Sequence, residues 1–317
     1  MLIPILILIF SFTLLIKSAD ILVDGAASLA KKLKIPPIAI GLTIIAFGTS
    51  APELIVNIFS SLSGANEIAL GNILGSNIAN ILLILGIAAT LKTLRVQQST
   101  TWKEIPFSLL AIIVLGVLVN DTLLAGTTSI LSRADGIILM AFFIIFLYYT
   151  YGIAKNSKLE TSEVKTYSNI LSSLMIVGGL IGLTIGGKFV VDSAVSLATL
   201  LGVSQAFIGL TIVALGTSLP ELVVSAVAAY KNHADIAVGN IVGSNIFNIF
   251  WILGLSAIIS PITFNTNMNL DLLITMIVTI LLIIFIFIGE RHTLNRWHGI
   301  SFILLYVAYI TLLIIRG

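Results

Sequence analysis

The sequence predicts an all-α integral membrane protein, in which ten transmembrane helices form two inverted five-helix repeats with a broken second helix in each. Three observations indicate this fold class. Of the 317 residues, 58% are hydrophobic and only 9% are charged, whereas a soluble globular chain carries about 25% charged residues. Ten long apolar stretches follow one another along the chain, and the two halves of the sequence resemble each other.

Composition also excludes several classes of protein. A mean hydropathy of +1.15 and so few charges cannot coat a soluble enzyme of this size. The absence of cysteine excludes disulfides, thiolate metal sites and cysteine nucleophiles. The net charge of +2 gives no indication of nucleic-acid binding. The partner that remains is the lipid bilayer, and the few charged residues become the informative ones.

Each predicted helix is an apolar stretch close to the roughly 20 residues that span a bilayer. The first stretch begins without a basic segment or a small-residue cleavage site, so we expect a retained helix and not a signal peptide. The predicted spans are 1–24, 36–62, 67–90, 105–120, 130–153, 168–193, 204–230, 235–260, 269–288 and 297–315.

Basic residues predict the orientation, because Lys and Arg concentrate in cytoplasmic loops. With the N-terminus outside, twelve basic residues lie inside and three lie at the outer face. We therefore expect a multi-pass protein of the cell membrane with both termini extracellular. The twelve are Lys31, Lys32, Lys34, Lys92, Arg95, Lys103, Lys155, Lys158, Lys165, Lys231, Arg291 and Arg296, and the three are Arg133, Lys188 and Arg316.

An internal repeat divides the chain. Shifting the sequence by 168 residues aligns 41–86 with 209–254 without gaps, and 26 of the 46 positions are identical. We expect a first repeat over 1–153, a cytoplasmic linker loop over 154–167 and a second repeat over 168–317. Because five spans is an odd number, the second repeat must cross the membrane in the opposite sense. Inverted repeats are typical of secondary transporters, whose substrate site lies at the repeat interface.

The second span of each half should be broken. Proline removes a backbone hydrogen bond and pushes against the preceding turn, and a glycine four residues earlier loosens that turn. A carboxylate follows the break directly. The residues are Gly48, Pro52 and Glu53 in the first half and Gly216, Pro220 and Glu221 in the second.

The two glutamates are the strongest candidates for function. A carboxylate at mid-membrane costs several kcal/mol, and the repeated motifs contain no Lys or Arg partner. Two symmetric carboxylates without a basic partner favour a cation. Carboxylates, hydroxyls and free carbonyls are hard oxygen donors, which suit Ca²⁺ and not Zn²⁺ or Cu²⁺.

The third span of each half presents amides and hydroxyls on one helix face, spaced i, i+4 and i+8. Buried Asn and Ser often act only as hydrogen-bond glue between helices, and we favour that interpretation for Asn72 and Asn240. Paired glycines on the same helices should let neighbouring helices approach closely. The face residues are Asn72, Ser76 and Asn80, then Asn240, Ser244 and Asn248, and the glycines are Gly71, Gly75, Gly239 and Gly243.

The duplicated motif, GTS-x-PEL followed by GN-xx-GSN-xx-N, resembles the α-repeats of the sodium/calcium exchangers of the cation/calcium antiporter superfamily, whose prokaryotic members have ten spans. The resemblance implies that Glu53, Glu221, Asn80 and Asn248 form the centre of a cation site. It further implies ligands from Ser76, Ser244, Thr49, Ser50, Thr217, Ser218, Ala46 and Ala214, and gates formed by the first and sixth spans.

Two details refine this resemblance. Relatives often carry Asp where this chain has Asn248, so the resemblance suggests that potassium is not required. The proton/calcium branch typically has a GNA-x-E pattern around its glutamate, whereas GTS-x-PE here favours sodium. We therefore expect an antiporter that exchanges Na⁺ for Ca²⁺ by alternating access, with Na⁺ entry driving Ca²⁺ extrusion. Neither a cofactor nor a protein partner is expected.

Alternatives remain open from the sequence. A Ca²⁺/H⁺ antiporter could use the same fold, and a cation channel could also use broken helices and carboxylates. An intramembrane hydrolase using Ser50 or Ser218 is disfavoured, because no His or Lys lies at that depth to activate a serine. We therefore do not expect an enzyme.

Overall fold

The computed structural model describes residues 2–98, 100–124, 126, 128–156, 165–201 and 214–316, which form an almost entirely helical chain. Eight of the described helices are long and apolar enough to cross a membrane, or nine if the bent pair α2–α3 counts as one span. The described helices of more than four residues are α1 (Leu2–Leu33), α2 (Pro37–Thr49), α3 (Ala51–Leu62), α4 (Asn66–Leu91), α5 (Thr100–Leu118), α6 (Arg133–Asn156), α7 (Asn169–Leu200), α8 (Leu219–Tyr230), α9 (Ala234–Ile259), α10 (Asn269–Phe287) and α11 (Arg296–Arg316).

The seventh predicted span, 204–230, lies partly outside the described residues. Its described part is one turn, Ala214–Gly216, followed by α8. The count of ten spans therefore stays a prediction.

The predicted ends of the first and sixth spans were wrong. Helix α1 continues nine residues beyond Asp24 to Leu33, and α7 continues beyond Ser193 to Leu200. Loss of apolar character marked the predicted ends, but Ala, Leu and Lys continue a helix regardless of hydropathy. Helix α1 ends shortly before Pro36, where proline disfavours helical backbone in the preceding residue.

Helices α1 and α7 pack along each other through small residues. A Cβ atom on Gly25 would lie 2.8 Å from Met175 Cβ, and one on Gly179 would lie 2.8 Å from Leu22 Cβ. A hydrogen bond of 2.9 Å joins the hydroxyls of Ser28 and Ser172. Such close backbone approach is how membrane helices gain van der Waals contact. The two helices therefore form one continuous unit.

Helices α4 and α9 form the interior of the protein. Their apolar segments are 78% and 83% buried, against 22–39% for the other long apolar helices among the described residues. Each packs against a helix of the other half through a glycine pair: Gly86 of α4 against Gly299 of α11, and Gly254 of α9 against Gly136 of α6. Because the two glycines Gly86 and Gly254 are 168 residues apart, these crossings follow the sequence repeat.

The predicted close packing at glycines holds for Gly239 and Gly243, where an added Cβ would lie 3.2 Å or less from atoms of α2. The corresponding partners of Gly71 and Gly75 would fall in 206–214. Residues 206–213 lie outside the described residues, so that half of the prediction is not tested.

Both interior helices contain a π-helical segment that includes the candidate asparagine Asn80 or Asn248: Asn80–Leu85 in α4 and Phe247–Leu253 in α9. A π-helical turn contains one extra residue and changes the direction of the side chains around it. The sequence did not predict these segments.

Two short antiparallel strand pairs join the loops: β1 (Leu94–Arg95) pairs with β4 (Thr293–Leu294), and β2 (Ile130–Leu131) pairs with β3 (Ile262–Thr263).

Candidate functional site

The predicted break lies at Ser50, where α2 and α3 meet at an angle of 47°. Ser50 has φ −83° and ψ 9°, outside both the helical and the extended regions. Ser218, at the equivalent position of the second half, has φ −89° and ψ 6°. Proline in the first turn of the next helix, Pro52 or Pro220, explains why the helix restarts there, since its missing N–H is not needed at that position. The two breaks therefore share one backbone geometry.

Each glutamate follows its break and is held by the serine of the other half. Glu53 and Glu221 are both 1% exposed. Ser218 Oγ donates to Glu53 Oε1 at 3.0 Å, and Ser50 Oγ donates to Glu221 Oε1 at 3.0 Å. The breaks of the two halves therefore meet, and the serine at each break binds the carboxylate that follows the other break.

Serines of the interior helices surround these carboxylates. Ser244 Oγ lies 3.4 Å from Glu221 Oε1 and 3.0 Å from Ser50 Oγ. Ser76 Oγ lies 3.3 Å from Ser218 Oγ. All four serines predicted as ligands are therefore buried beside the glutamates.

The four central asparagines bond in a crossed pattern. Asn80 Nδ2 donates to Asn245 Oδ1, and Asn248 Nδ2 donates to Asn77 Oδ1, both at 2.9 Å. Asn77 and Asn245 also bond each other's backbone carbonyls at 3.3 and 3.4 Å. Sequence reasoning gave Asn77 and Asn245 no role, although both belong to the repeated GSN motif. They hold the amides of Asn80 and Asn248 so that the nitrogens, and not the oxygens, are bonded.

The threonines bond the outer asparagines. Thr49 Oγ1 donates to Asn240 Oδ1 at 3.0 Å, and Asn240 Nδ2 donates to Ser225 Oγ at 3.0 Å. Thr217 Oγ1 reaches Asn72 Oδ1 only at 3.5 Å. For Asn240, the expected role as hydrogen-bond glue agrees with these contacts.

Of the two predicted carbonyl ligands, the structure describes the contacts of one, Ala46, and not those of the other, Ala214. The carbonyl of Ala46 accepts the backbone N–H of Ser50 at 3.0 Å and lies 3.4 Å from Thr49 Oγ1. Ala214 begins the turn Ala214–Gly216, and its surroundings lie outside the described part of the chain.

Four buried oxygens at the centre of this cluster have no hydrogen-bond partner among the described residues. They are Glu53 Oε2, Glu221 Oε2, Asn80 Oδ1 and Asn248 Oδ1. Native structures leave few buried polar atoms unpaired, and each unpaired one calls for an explanation. No ion pair of either glutamate occurs within the described ranges. The described residues also contain no group of three or more His, Cys, Asp or Glu that could hold a metal ion, so any cation here must rely on neutral oxygens beside two carboxylates.

A cavity of about 260 Å³ lies beside the cluster, between α7 and α3. Thr217 contributes to its wall, so the cavity reaches the candidate site. Lys188 and Asp192 line its α7 side, and Asp192 thus faces the cavity.

Lys231, which directly follows α8, forms ion pairs with α1. Its Nζ lies 2.6 Å from carboxylate oxygens of both Asp20 and Asp24 on α1. Burial alone would lower the pKa of Lys231, but the two carboxylates outweigh it and raise the pKa, so the ammonium stays charged. The sequence predicted Lys231 only as a basic residue of a cytoplasmic loop, and the pair was missed because 207 residues separate Lys231 from Asp24.

Comparison with known proteins gives one family. The family described as sodium/calcium exchanger protein matches this chain over residues 3–152 and 171–315. The chain is 32% identical to the sodium/calcium exchanger MaX1 of Methanosarcina acetivorans, over 97% of both chains. It is 39% identical to inner membrane protein YrbG of Escherichia coli, over 82% of this chain and 81% of YrbG.

A solved structure is also similar along the whole chain. The sodium-calcium exchanger NCX_Mj, soaked with 10 mM Na⁺ and no Ca²⁺, superposes with a TM-score of 0.84 at 31% sequence identity. The match covers 98% of each chain.

Proposed function

The chain belongs to the sodium/calcium exchanger protein family, and we propose that it exchanges Na⁺ for Ca²⁺ across the membrane by alternating access, with Na⁺ entry driving Ca²⁺ extrusion. The single observation that carries this proposal is the set of four unpaired buried oxygens, on Glu53, Glu221, Asn80 and Asn248. Oxygen ligands of this kind are those that Ca²⁺ prefers.

Charge explains why the two ions would exclude each other. With both glutamates ionised, the site carries about −2 on carboxylates that are almost fully buried. One Ca²⁺ or two Na⁺ neutralise that charge, whereas both together would leave a net positive charge in a medium of low dielectric constant. Competition for the same carboxylates then couples the movement of one ion to the opposite movement of the other.

The proposed ligand set has a centre and two flanks. Glu53, Glu221, Asn80 and Asn248 form the centre. In the structure, serine hydroxyls donate to the carboxylates; a bound cation would take those carboxylate oxygens, and each hydroxyl would turn to offer a lone pair. The flanking ligands are Ser76, Ser244, Thr49, Ser50, Thr217, Ser218 and the carbonyls of Ala46 and Ala214.

Alternating access is supported by the contrast between the two ends of the site. At one end Lys231 ties α1 to the end of α8, and at the other end a cavity separates α7 from α3. Because α1 and α7 pack along each other as one unit, we propose that they slide together and open one side as they close the other.

The proposed topology follows the repeat. Two inverted five-helix repeats, 1–153 and 168–317, would flank the linker 154–167, with both termini outside. The open cavity would then face outward and the Lys231 contacts inward. This orientation is the one in which external Na⁺ reaches the site directly.

Flux into proteoliposomes tests the coupling ion. Uptake of ⁴⁵Ca²⁺ is measured into vesicles loaded with Na⁺, with choline at acidic pH, or with choline at neutral pH. The proposal predicts uptake driven by internal Na⁺ alone. Uptake driven by the pH gradient and indifferent to Na⁺ would select the Ca²⁺/H⁺ antiporter instead, and conductance in planar bilayers would indicate a channel.

A further inference from the structure

Helix α3 carries a buried polar stripe in which Glu53 belongs to the proposed exchange site and two further side chains do not. Asn57 and Ser61 follow Glu53 at intervals of four residues, so the three side chains lie above one another on one face of the helix. Asn57 is 0% exposed and Ser61 is 1% exposed. The stripe runs from the carboxylate of Glu53 towards the loop at 63–65, away from the break.

Polar atoms along this stripe have no hydrogen-bond partner among the described residues. They are both amide atoms of Asn57 (Oδ1 and Nδ2), Ser61 Oγ and Glu53 Oε2. On the neighbouring helix α4, Asn72 Nδ2 is also buried and unpaired. Leaving one such group unpaired is costly, and leaving five together is not a pattern that folded proteins tolerate without a ligand or water.

The second half of the chain supplies an internal comparison. The residues 168 positions later are Ser225 and Ala229 on α8. There Ser225 Oγ accepts from Asn240 Nδ2 at 3.0 Å, and Ala229 has no polar side chain. The side chains that follow Glu221 are therefore satisfied, whereas those that follow Glu53 are not, and the sequence repeat shows that the fold does not require the unsatisfied version.

The chemistry of the unpaired atoms indicates what would satisfy them. A proton on Glu53 would satisfy one oxygen and leave Asn57 and Ser61 unpaired. Side chains four residues apart on a helix have Cβ atoms about 5–6 Å apart, a spacing that one cation can bridge, so Glu53 and Asn57 can share a cation directly. Ser61 lies two turns, about 12 Å, from Glu53, so it can reach that cation only through water. Only one carboxylate is present, which is too little charge and too few ligands for Ca²⁺ with its six to eight oxygens.

The two unpaired amide nitrogens add a further requirement. A cation cannot accept a hydrogen bond, so Asn57 Nδ2 and Asn72 Nδ2 need an acceptor. A water molecule can accept from them and also contact a cation, and buried water requires two to four polar partners of this kind.

We propose that Glu53 and Asn57 form an accessory site for a monovalent cation, Na⁺ with at least one retained water that reaches Ser61, one helical turn outside the exchange site. This inference rests on the proposed function, since Glu53 is shared between the two sites. Sodium at the accessory site would withdraw Glu53 from Ca²⁺ and so increase the competition between the two ions. The asymmetry between the halves would place this effect on one side of the membrane only.

The sequence repeat supplies the variant that tests this proposal. The double substitution Asn57→Ser and Ser61→Ala gives α3 the side chains that α8 already carries, so it replaces the stripe with one that this fold accommodates. Ca²⁺ binding to the purified protein is titrated by calorimetry at increasing Na⁺. We expect the Na⁺ concentration that halves Ca²⁺ binding to rise in this variant. The factor by which it rises should be at least three times the factor by which the Kd for Ca²⁺ changes.

Two further variants make the result specific. Asn57→Asp keeps an oxygen ligand and adds charge, so it should lower the half-inhibiting Na⁺ concentration. The reciprocal change, Ser225→Asn with Ala229→Ser, should add a second Na⁺-sensitive stripe and strengthen inhibition. Thermal unfolding of each variant checks that the protein remains folded.

The outcomes separate this proposal from the proposed function. Ca²⁺ binding by the unsubstituted protein that ignores Na⁺ would overturn both. Ca²⁺ binding that Na⁺ inhibits equally in the unsubstituted protein and in the Asn57→Ser, Ser61→Ala variant would overturn the accessory site alone, and would assign water and no cation to the stripe.

Discussion

Ser50 donates its hydroxyl hydrogen to Glu221 across the interface between the two halves, over 3.0 Å and a sequence separation of 171 residues. The reciprocal contact, from Ser218 to Glu53, has the same length. Each carboxylate is therefore positioned by the helix break of the other half. A movement of either half must change both carboxylates, which is what an exchange site that opens to alternate sides requires.

Removing the charge of either glutamate should abolish exchange. Glu53→Gln and Glu221→Gln keep the side-chain shape and leave about −1 where a divalent ion needs −2. Loss of one partner from a buried charge pair costs about 3–5 kcal/mol, so we expect at least a 100-fold loss of ⁴⁵Ca²⁺ uptake driven by Na⁺. Glu67→Gln, which changes a carboxylate at the start of α4, is the matched control and should retain uptake. Near-normal uptake in either buried variant would disprove the role of that glutamate.

Asn77 should act as a positioning residue for Asn248. Asn77→Ala removes the acceptor of the 2.9 Å hydrogen bond from Asn248 Nδ2, so this amide can turn its oxygen away from the site. A buried donor without a partner costs about 1–3 kcal/mol, and we expect the Kd for Ca²⁺ to rise about tenfold in calorimetry. Asn265→Ala, which removes an exposed hydrogen bond to Glu67, should leave the Kd unchanged. An unchanged Kd in Asn77→Ala would show that the crossed amides are only structural.

Loss of the Lys231 contacts should favour the conformation that opens at their end of the molecule. Ion pairs this exposed contribute at most about 1 kcal/mol, so Lys231→Met should shift the equilibrium by up to about fivefold. Because the chain has no cysteine, a single Val56→Cys substitution reports access to the cavity through its rate of maleimide labelling. We expect labelling to slow in Lys231→Met and to stay constant in Lys92→Met, which removes an exposed charge. Faster labelling, or equal effects of the two lysines, would contradict the proposed gate.

Close packing of α2 on α9 should make Gly243 intolerant of a side chain. A Cβ there would lie 2.8 Å from Ala46 Cβ and from the carbonyl oxygen of Leu42. Such overpacking costs about 1–3 kcal/mol, so Gly243→Ala should lower the thermal unfolding temperature. Gly152→Ala places a methyl group where no atom lies within 4 Å, and it should stabilise α6 by up to about 1 kcal/mol. A Gly243→Ala protein as stable as the Gly152→Ala protein would refute this packing.

The sequence predicted those residues of the site whose own chemistry identifies them. Glu53 and Glu221 are visible because a buried carboxylate without a basic neighbour has few structural explanations. The role of Asn77 and Asn245 was not visible, since spacing along one helix gives the face of a residue and not its partner on another helix. The contact of Lys231 with Asp24 was missed for the same reason.

The fold was predictable in outline and less so in detail. Apolar runs predicted the helices, but hydropathy does not mark where Ala and Lys continue α1 past Asp24. The π-helical segments Asn80–Leu85 and Phe247–Leu253 were not predicted, because hydropathy does not distinguish a π-helical turn from an α-helical one.

The central claim is that Glu53 and Glu221 form one site for which Ca²⁺ and Na⁺ compete. Calorimetric titration of Ca²⁺ into the purified protein, in choline and then in Na⁺, tests it most directly. We predict that Na⁺ raises the Kd for Ca²⁺ and that the double variant Glu53→Gln, Glu221→Gln binds no Ca²⁺ in either medium. Ca²⁺ binding that is indifferent to Na⁺, or that persists in the double variant, would contradict the claim.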